Sequence, residues 1–288
     1  MTKLVSYNIQ YGKGRDGRID LDRIVREVAG ADVVAMQEVD RFWNRSGMTD
    51  QVAAFAERIP EYYWVYGPGV DLDASFRDGD GRLRNRRRQF GNLLLSRFPI
   101  VWSRNHLLPK HGLVAQVSLQ RGALDAVVAF PSGPVRVASV HLAHASPPER
   151  LAQVERLREL QREAAFDGGI LSGDGANWRE AGLPLPAPLG SIVLGDFNMT
   201  PDDPAYAAMA GVDAPKYGRI TTLDGYLDAW IHAGGAQDGG YTRFEENRIR
   251  RIDYAFISPC LADRVRGVRV DDDADGSDHQ PLWLETDL

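Results

Sequence analysis

Short apolar runs that stop abruptly at polar residues punctuate the chain. Leu4 to Ile9 alternates as a half-buried strand does and reaches Asn8 near its end. Asp32 to Val39 (DVVAMQEV) reads as a buried strand that meets Gln37 and Glu38, and Tyr62 to Tyr66 is aromatic and extended. Phe90 to Ile100, Leu113 to Gln120, Asp125 to Phe130 and Val135 to Leu142 predict a β-rich middle. Ile192 to Leu194 and Ile249 to Ser258 add two strands, and VRGVRV with PLWLETDL forms a last pair. Between these lie helical periods. Asp20 is placed to cap a helix whose inner face is Leu21, Ile24, Val25 and Val28. Thr49 to Ile59 turns Val52, Phe55 and Ile59 inward. Ser146-Pro147-Pro148-Glu149 opens a helix to about Phe166 with a capping box, and Pro201 to Met209 makes a shorter one. Residues 71–88 are a polar loop or hairpin. Residues 168–190 are a Gly- and Pro-rich loop, not a linker, because a strand follows at once.

The strand ends carry the candidate chemistry. In IVLGDFNMTPDDPAY, Asp196 and Asn198 are two apart and project to one side of an extended chain, with Phe197 facing the opposite, buried side. Such a pair can hold a water and a phosphate oxygen, or can simply form a polar turn. Asn8, Glu38, His141, Asp253, Asp278 and His279 also sit at predicted strand ends, where a carboxylate beside a second polar group suits a metal. His106, His111, His144 and His232 have no such setting and read as loop or surface histidines.

Composition narrows the picture. A net charge of −6 argues against a general nucleic-acid binder, and one cysteine, Cys260, rules out an internal disulfide framework. No apolar run approaches the ~20 residues of a membrane span, and the first residues lack an apolar leader, so a cytoplasmic setting is expected. The Asn44 and Asn198 glycosylation patterns then carry no weight. Gly12, Gly14 and Gly17 match a dinucleotide-binding spacing, but Asn8 to Tyr11 separates them from the strand and the helix starts only at Asp20. Asp271, Asp273, Asp275 and Gly276 open like a calcium loop, yet Leu282 stands where a bidentate Glu is needed.

Taken in order, SYNIQYG, VVAMQEVD, FGNLLLSRFPI, SVHLAH, VLGDFNMTP, RIDYAFIS and SDHQPLW resemble the endonuclease/exonuclease/phosphatase superfamily, the deoxyribonuclease I-like fold, from Ser6 to Trp283. The resemblance implies one domain over residues 1–288, an α/β four-layer sandwich of two mixed β-sheets packed face to face and flanked by helices. It implies a phosphoester hydrolase in which Glu38 ligates Mg²⁺ or Mn²⁺, with Asn8 close by and Asp278 adding to the shell. Asp196 would orient or deprotonate the attacking water, and Asn198 would hold a phosphoryl oxygen. His279, oriented by Asp253, would donate to the phosphoryl group, and His141 would contact it from the other side. Asn92, in the FGN segment, is carried over as a substrate contact. Arg84, Arg86 and Arg88, spaced by two in the 71–88 segment, would clamp further phosphates of a polyanion, or else form a solvated face. The implied partner is a phosphorylated substrate, with nucleic acid among the options; no obligate protein partner is evident. The expected reaction is phosphodiester or nuclease cleavage by in-line attack. A phosphomonoesterase acting on a small metabolite or lipid headgroup is the alternative, and a non-catalytic phosphate-binding module a third reading.

Overall fold

The computed structural model describes residues 1–173, 188–245 and 248–288. Two six-stranded mixed sheets lie face to face. The first is built from β1 (Thr2–Asn8), β2 (Val33–Arg41), β3 (Tyr63–Asp73), β4 (Arg87–Ser96), β11 (Val265–Val270) and β12 (Leu282–Thr286), in the order β11-β12-β1-β2-β4-β3. The second is built from β5 (Ile100–Leu107), β6 (Gly122–Phe130), β7 (Gly133–His141), β8 (Ser191–Asp196), β9 (Leu227–Asp228) and β10 (Asp253–Ile257), in the order β9-β10-β8-β7-β6-β5. Each sheet has one parallel pair at its centre, β1 with β2 and β7 with β8; its other neighbours run antiparallel. Helices α1 (Leu21–Glu27) and α2 (Gln51–Arg58) cover the first sheet, and α3 (Pro147–Glu163) and α4 (Pro204–Ala210) the second. A one-turn helix, α5 (Ala229–His232), follows β9. This is the α/β four-layer sandwich.

Strand alternation explains how the layers form. Leu4, Val33, Ala35 and Leu94 point inward to meet Val137, Ile192, Leu194 and Ala255 of the other sheet, all buried in one cluster. Their neighbours Val5, Tyr7, Val34 and Met36 point outward beneath α1 and α2, while Val140, Val193 and Phe197 point outward beneath α3 and α4. The inward phase has a consequence at the strand ends. Continued by twos, Leu4 leads to Asn8, Val137 to His141, Ile192 to Asp196, and Ala255 back to Asp253. The apolar filling of the sandwich therefore gives way, in the same phase, to polar side chains at one end.

Several predicted elements are redrawn. Phe90 to Ile100 is the end of β4, a turn and the start of the edge strand β5, whose mixed WSRNHL sequence hides it. Leu113 to Gln120 is irregular: Val114 and Val117 are exposed, with no facing surface to reward the alternation. The predicted strand at Ile249 to Ser258 is broken at Arg251 and Ile252, because Arg251 turns in to pair with the buried Asp228 at 2.8 Å. Residues 71–88 form a hairpin extending β3 and β4, closed by Phe76–Arg77 pairing with Leu83–Arg84. The loop predicted at residues 168–190 falls mostly outside the described residues. The two motif-like stretches fold as turns. Gly14 N donates to Arg18 O at 2.9 Å before Asp20 caps α1, and Asp275 N and Gly276 N both donate to the Glu27 carboxylate at 2.8 Å.

Candidate active site at one end of the sandwich

Strand register alone places three site residues in a row. His141 of β7 stands beside Asp196 of β8, which stands beside Asp253 of β10. The approach is close because position 195 is glycine; a Cβ there would lie 2.0 Å from the Val140 carbonyl. From the facing sheet, Asn8 Nδ2 donates to Asp196 Oδ2 at 3.0 Å and to Glu38 Oε1 at 3.3 Å, joining the two strand ends. Glu38 reaches the cleft through an irregularity of β2. The register with β4 slips between Met36 and Val39, and Glu38 adopts φ 62°. A bulge re-aims one side chain at a cost in ladder hydrogen bonds. That cost, with the positive φ, is expected where the side chain has a task.

Asp196 is the hub. Its Oδ1 accepts the Asn198 backbone N–H at 2.9 Å, and its Oδ2 lies 3.4 Å from His141 Nε2 and 3.8 Å from His279 Nε2. Asn198, at φ 51°, donates one amide hydrogen to Leu142 O at 3.1 Å, leaving the other for a ligand. His279 Nδ1 sits 2.8 Å from Asp253 Oδ2. Asp278 accepts from Gln10 Nε2 at 3.0 Å and pairs with Arg243 at 3.1 Å. All eight strand-end residues predicted from the sequence thus converge in one cleft.

Burial dominates the electrostatics. It raises the Glu38 carboxyl above its ordinary range, opposed by the charges of His279 and Arg121. Asp196 is raised by burial and then by Asp253. His141 is held well below its usual value by burial and by Arg121, so it is neutral. For His279 burial works against the proton, but Asp253 and Asp196 outweigh it and push the imidazole up to about 9. Arg243 stands against this imidazole, its Nη1 3.3 Å from His279 Nε2 and its Nη2 paired with Asp278.

Sequence reasoning missed Arg121 and His144 in this cleft, as it did Gln10 and Arg243 beside Asp278. Arg121, at the β6 entrance, is 5% exposed and places Nη1 3.0 Å from His141 Nδ1 and Nη2 3.1 Å from His144 Nδ1. A guanidinium only donates, so both Nδ1 atoms accept and both histidines carry their proton on Nε2. For His141 this aims an N–H at the Asp196 side of the cleft. His144, read from the sequence as a loop residue, is the outer of the pair. The HLAH spacing was the available signal; nothing local marked Arg121.

Two predicted contacts are placed differently. Asn92 is 2% exposed, and its amide donates to Gly122 O at 2.9 Å and Ser139 O at 3.0 Å. It braces sheet to sheet beneath the cleft, with its amide nitrogen engaged by both carbonyls. The arginines do not form one row, because the hairpin strand is interrupted at Asn85 and Arg86. Arg84 pairs with Asp78 at 2.7 Å, Arg86 lies over Phe42 and Phe76, and Arg88 lies 5.6 Å from the Trp43 ring.

The donor chemistry of the cleft suits a cation. Asp196, Asp253 and His279 each offer one ligand atom within 4.8 Å of the others, a buried group that could hold a metal, and Asp253 Oδ1 is buried without a partner. Glu38, with the Asn8 amide at its Oε1, adds a desolvated carboxylate open to the same cleft. Buried carboxylates raised by desolvation fit a hard cation with oxygen ligands.

The family model for the endonuclease/exonuclease/phosphatase family matches residues 5–279. The chain belongs to that family. Its sequence has no match among curated proteins. Among solved structures, a Beutenbergia cavernae endonuclease/exonuclease/phosphatase is similar at TM-score 0.63 and 21% identity, over 98% of this chain and 70% of that one. A Bacteroides thetaiotaomicron mannosyl-6-phosphatase is similar at TM-score 0.65 and 19% identity, each chain covered fully. The human nocturnin catalytic domain with bound sulfate is similar at TM-score 0.59 and 18% identity, over 98% of this chain and 93% of that one. At these identities the likeness is one of fold. The family makes this chain a phosphoester hydrolase. Among the described residues, no helix is long and apolar enough to cross a membrane.

Proposed function

We propose that the protein is a metal-dependent phosphodiesterase cleaving by in-line attack of a water held at Asp196. The observation that carries this reading is the Asp196 carboxylate, set between His141 Nε2 and His279 Nε2 at 3.4 and 3.8 Å and fixed by Asn8 and Asn198. A carboxylate anchored on Oδ1 by a backbone N–H and on Oδ2 by Asn8 keeps further lone-pair capacity with which to orient a water. The neutral His141, proton on Nε2, donates to a phosphoryl oxygen from one side. Cationic His279, held by Asp253, donates from the other, and the free Asn198 amide hydrogen adds a third contact. Donors fixed before the charge develops stabilise the transition state without reorganising.

Glu38, with Asn8 and Asp278 nearby, would hold Mg²⁺ or Mn²⁺, which when bound supplies charge neutralisation at the phosphoryl group. The Asp196, Asp253 and His279 group is a second place for the ion, which would have to displace the proton on His279 Nε2 while Nδ1 stays on Asp253.

The deciding experiment is a substrate panel with Mg²⁺, Mn²⁺ or EDTA: single- and double-stranded DNA, RNA, a bis-aryl phosphate, an aryl monophosphate and inositol phosphates. Diesters should turn over faster than matched monoesters. The reverse order would support a phosphomonoesterase, a reading favoured by the mannosyl-6-phosphatase of the same fold.

A further inference from the structure

Beside the cleft, the loop after β2 builds a structure the proposed chemistry does not use. Arg45 places Nε 3.0 Å and Nη2 2.8 Å from the two oxygens of Asp40, which is fully buried and also accepts from Ser46 Oγ at 2.8 Å. Three rings surround its guanidinium carbon, Tyr11 at 4.5 Å, Trp43 at 4.9 Å and Phe90 at 5.1 Å. The bidentate pair fixes the plane of the guanidinium and the rings limit its tilt. Yet the side chain stays 41% exposed, and Nη1 has no partner among the described residues. An arginine held this firmly, with N–H groups left facing open space, is prepared to receive an anion.

Its place decides which anion. The Phe90 ring is 6.4 Å from the His141 ring. Tyr11 follows Gln10, which holds Asp278; burial opposes the Arg45 charge, Asp40 raises its pKa, and Glu38 adds a smaller rise. Behind Trp43 stands Arg88, 5.6 Å from the ring. Tyr11, which carries one of the three flanking rings, has φ of 47°, a conformation that residues other than glycine adopt only when the surroundings favour it.

Building on the hydrolase reading, we propose that Arg45, backed by Arg88, is a second anion subsite, and that the preferred substrate carries a further phosphoryl group next to the scissile one. Asp40 neutralises one unit of charge, so the subsite recognises its anion by directed hydrogen bonds more than by net charge. Arg84, tied to Asp78 on the exposed hairpin, is not part of it.

The test is calorimetric titration of full-length Asp196→Asn protein, which keeps ligands from turning over, in excess magnesium. The ligands are a dithymidine diester with and without a terminal phosphate, and a hexose bisphosphate with the matching monophosphate. In at least one pair the second phosphate should tighten binding by about 10-fold, the scale of one charge-assisted contact. Adding Arg45→Gln should bring that pair to within about twofold while leaving the singly phosphorylated ligand nearly unchanged. Separation of the dinucleotide pair would identify a nucleic-acid backbone, and separation of the hexose pair a small bisphosphate. Arg45→Lys and Arg88→Ala should each narrow the gap in part, and they carry the test if the glutamine variant does not fold. Pairs that never separate, or a gap that survives Arg45→Gln, overturn the subsite. A protein that separates the pairs yet hydrolyses no phosphoester with metal keeps the subsite and loses the hydrolase reading.

Discussion

At the level of single residues, the cleft works by assigning protons. His279 shares Nδ1 with Asp253 and is drawn to about 9, whereas His141 takes its hydrogen bond from Arg121 and stays neutral. One imidazole is thus prepared as a cationic donor and the other as a neutral one. We expect Asp196→Asn and His279→Ala each to lower kcat by at least ~10²-fold on a bis-aryl phosphate. If Asp253 acts through His279, Asp253→Asn combined with His279→Ala will be scarcely worse than the more damaged single variant; additive losses would separate their roles. Arg121→Met removes the donor that fixes the His141 tautomer. Nitrogen NMR should then show His141 leaving the pure Nε2–H form, with kcat falling more than KM rises. An unchanged tautomer would return Arg121 to a packing role. These residues differed in how readable they were. Asp196, His279 and Glu38 stand at strand ends in recognisable segments. Arg121 stands in an ordinary strand start, and its meaning comes only from the two histidines folded against it.

At the scale of elements, the site is a by-product of strand phase. The inward positions that fill the sandwich also deliver Asn8, His141, Asp196 and Asp253, so alternation in the sequence already implied a common face. It did not show the bulge that re-aims Glu38, because a register slip depends on the partner strand. Nor did it show the cross-sheet braces below the cleft, Gln37 Nε2 to Ser139 Oγ at 3.0 Å and the Asn92 amide to Ser139 O and Gly122 O. Asn92→Ala leaves two buried carbonyls short of a donor and should destabilise the fold by about 1–3 kcal/mol. A thermal melt reads this; an unchanged melting temperature with a raised KM would return Asn92 to the substrate. The hairpin makes a matching contrast. Arg84 is exposed and paired within its own turn, so Arg84→Ala should leave KM for a polyanion within about twofold, as surface pairs contribute little. A larger rise in KM would restore the arginine row that the interrupted strand argues against.

For the whole molecule, the family's segments spanned the chain and the layered architecture was legible from them. The edge strand β5 was hidden by its polar composition, and the exposed stretch 113–120 imitated a strand because alternation does not report whether a facing surface exists. Net charge was a poor guide to the cleft. The chain carries −6 overall, yet Arg45, Arg121 and Arg243 gather at one end of the sandwich, against the carboxylates of Asp40, Glu38 and Asp278. A local field of mixed sign suits a cation and an anion arriving together. The most direct measurement is hydrolysis of a bis-aryl phosphate by metal-stripped protein, before and after adding Mg²⁺ or Mn²⁺, for the wild type and for Glu38→Gln. A metal held by Glu38 predicts no turnover in excess EDTA, recovery of the wild type on adding metal, and a failure of Glu38→Gln to recover at the same metal concentration. Full activity of the stripped wild type in EDTA would contradict it.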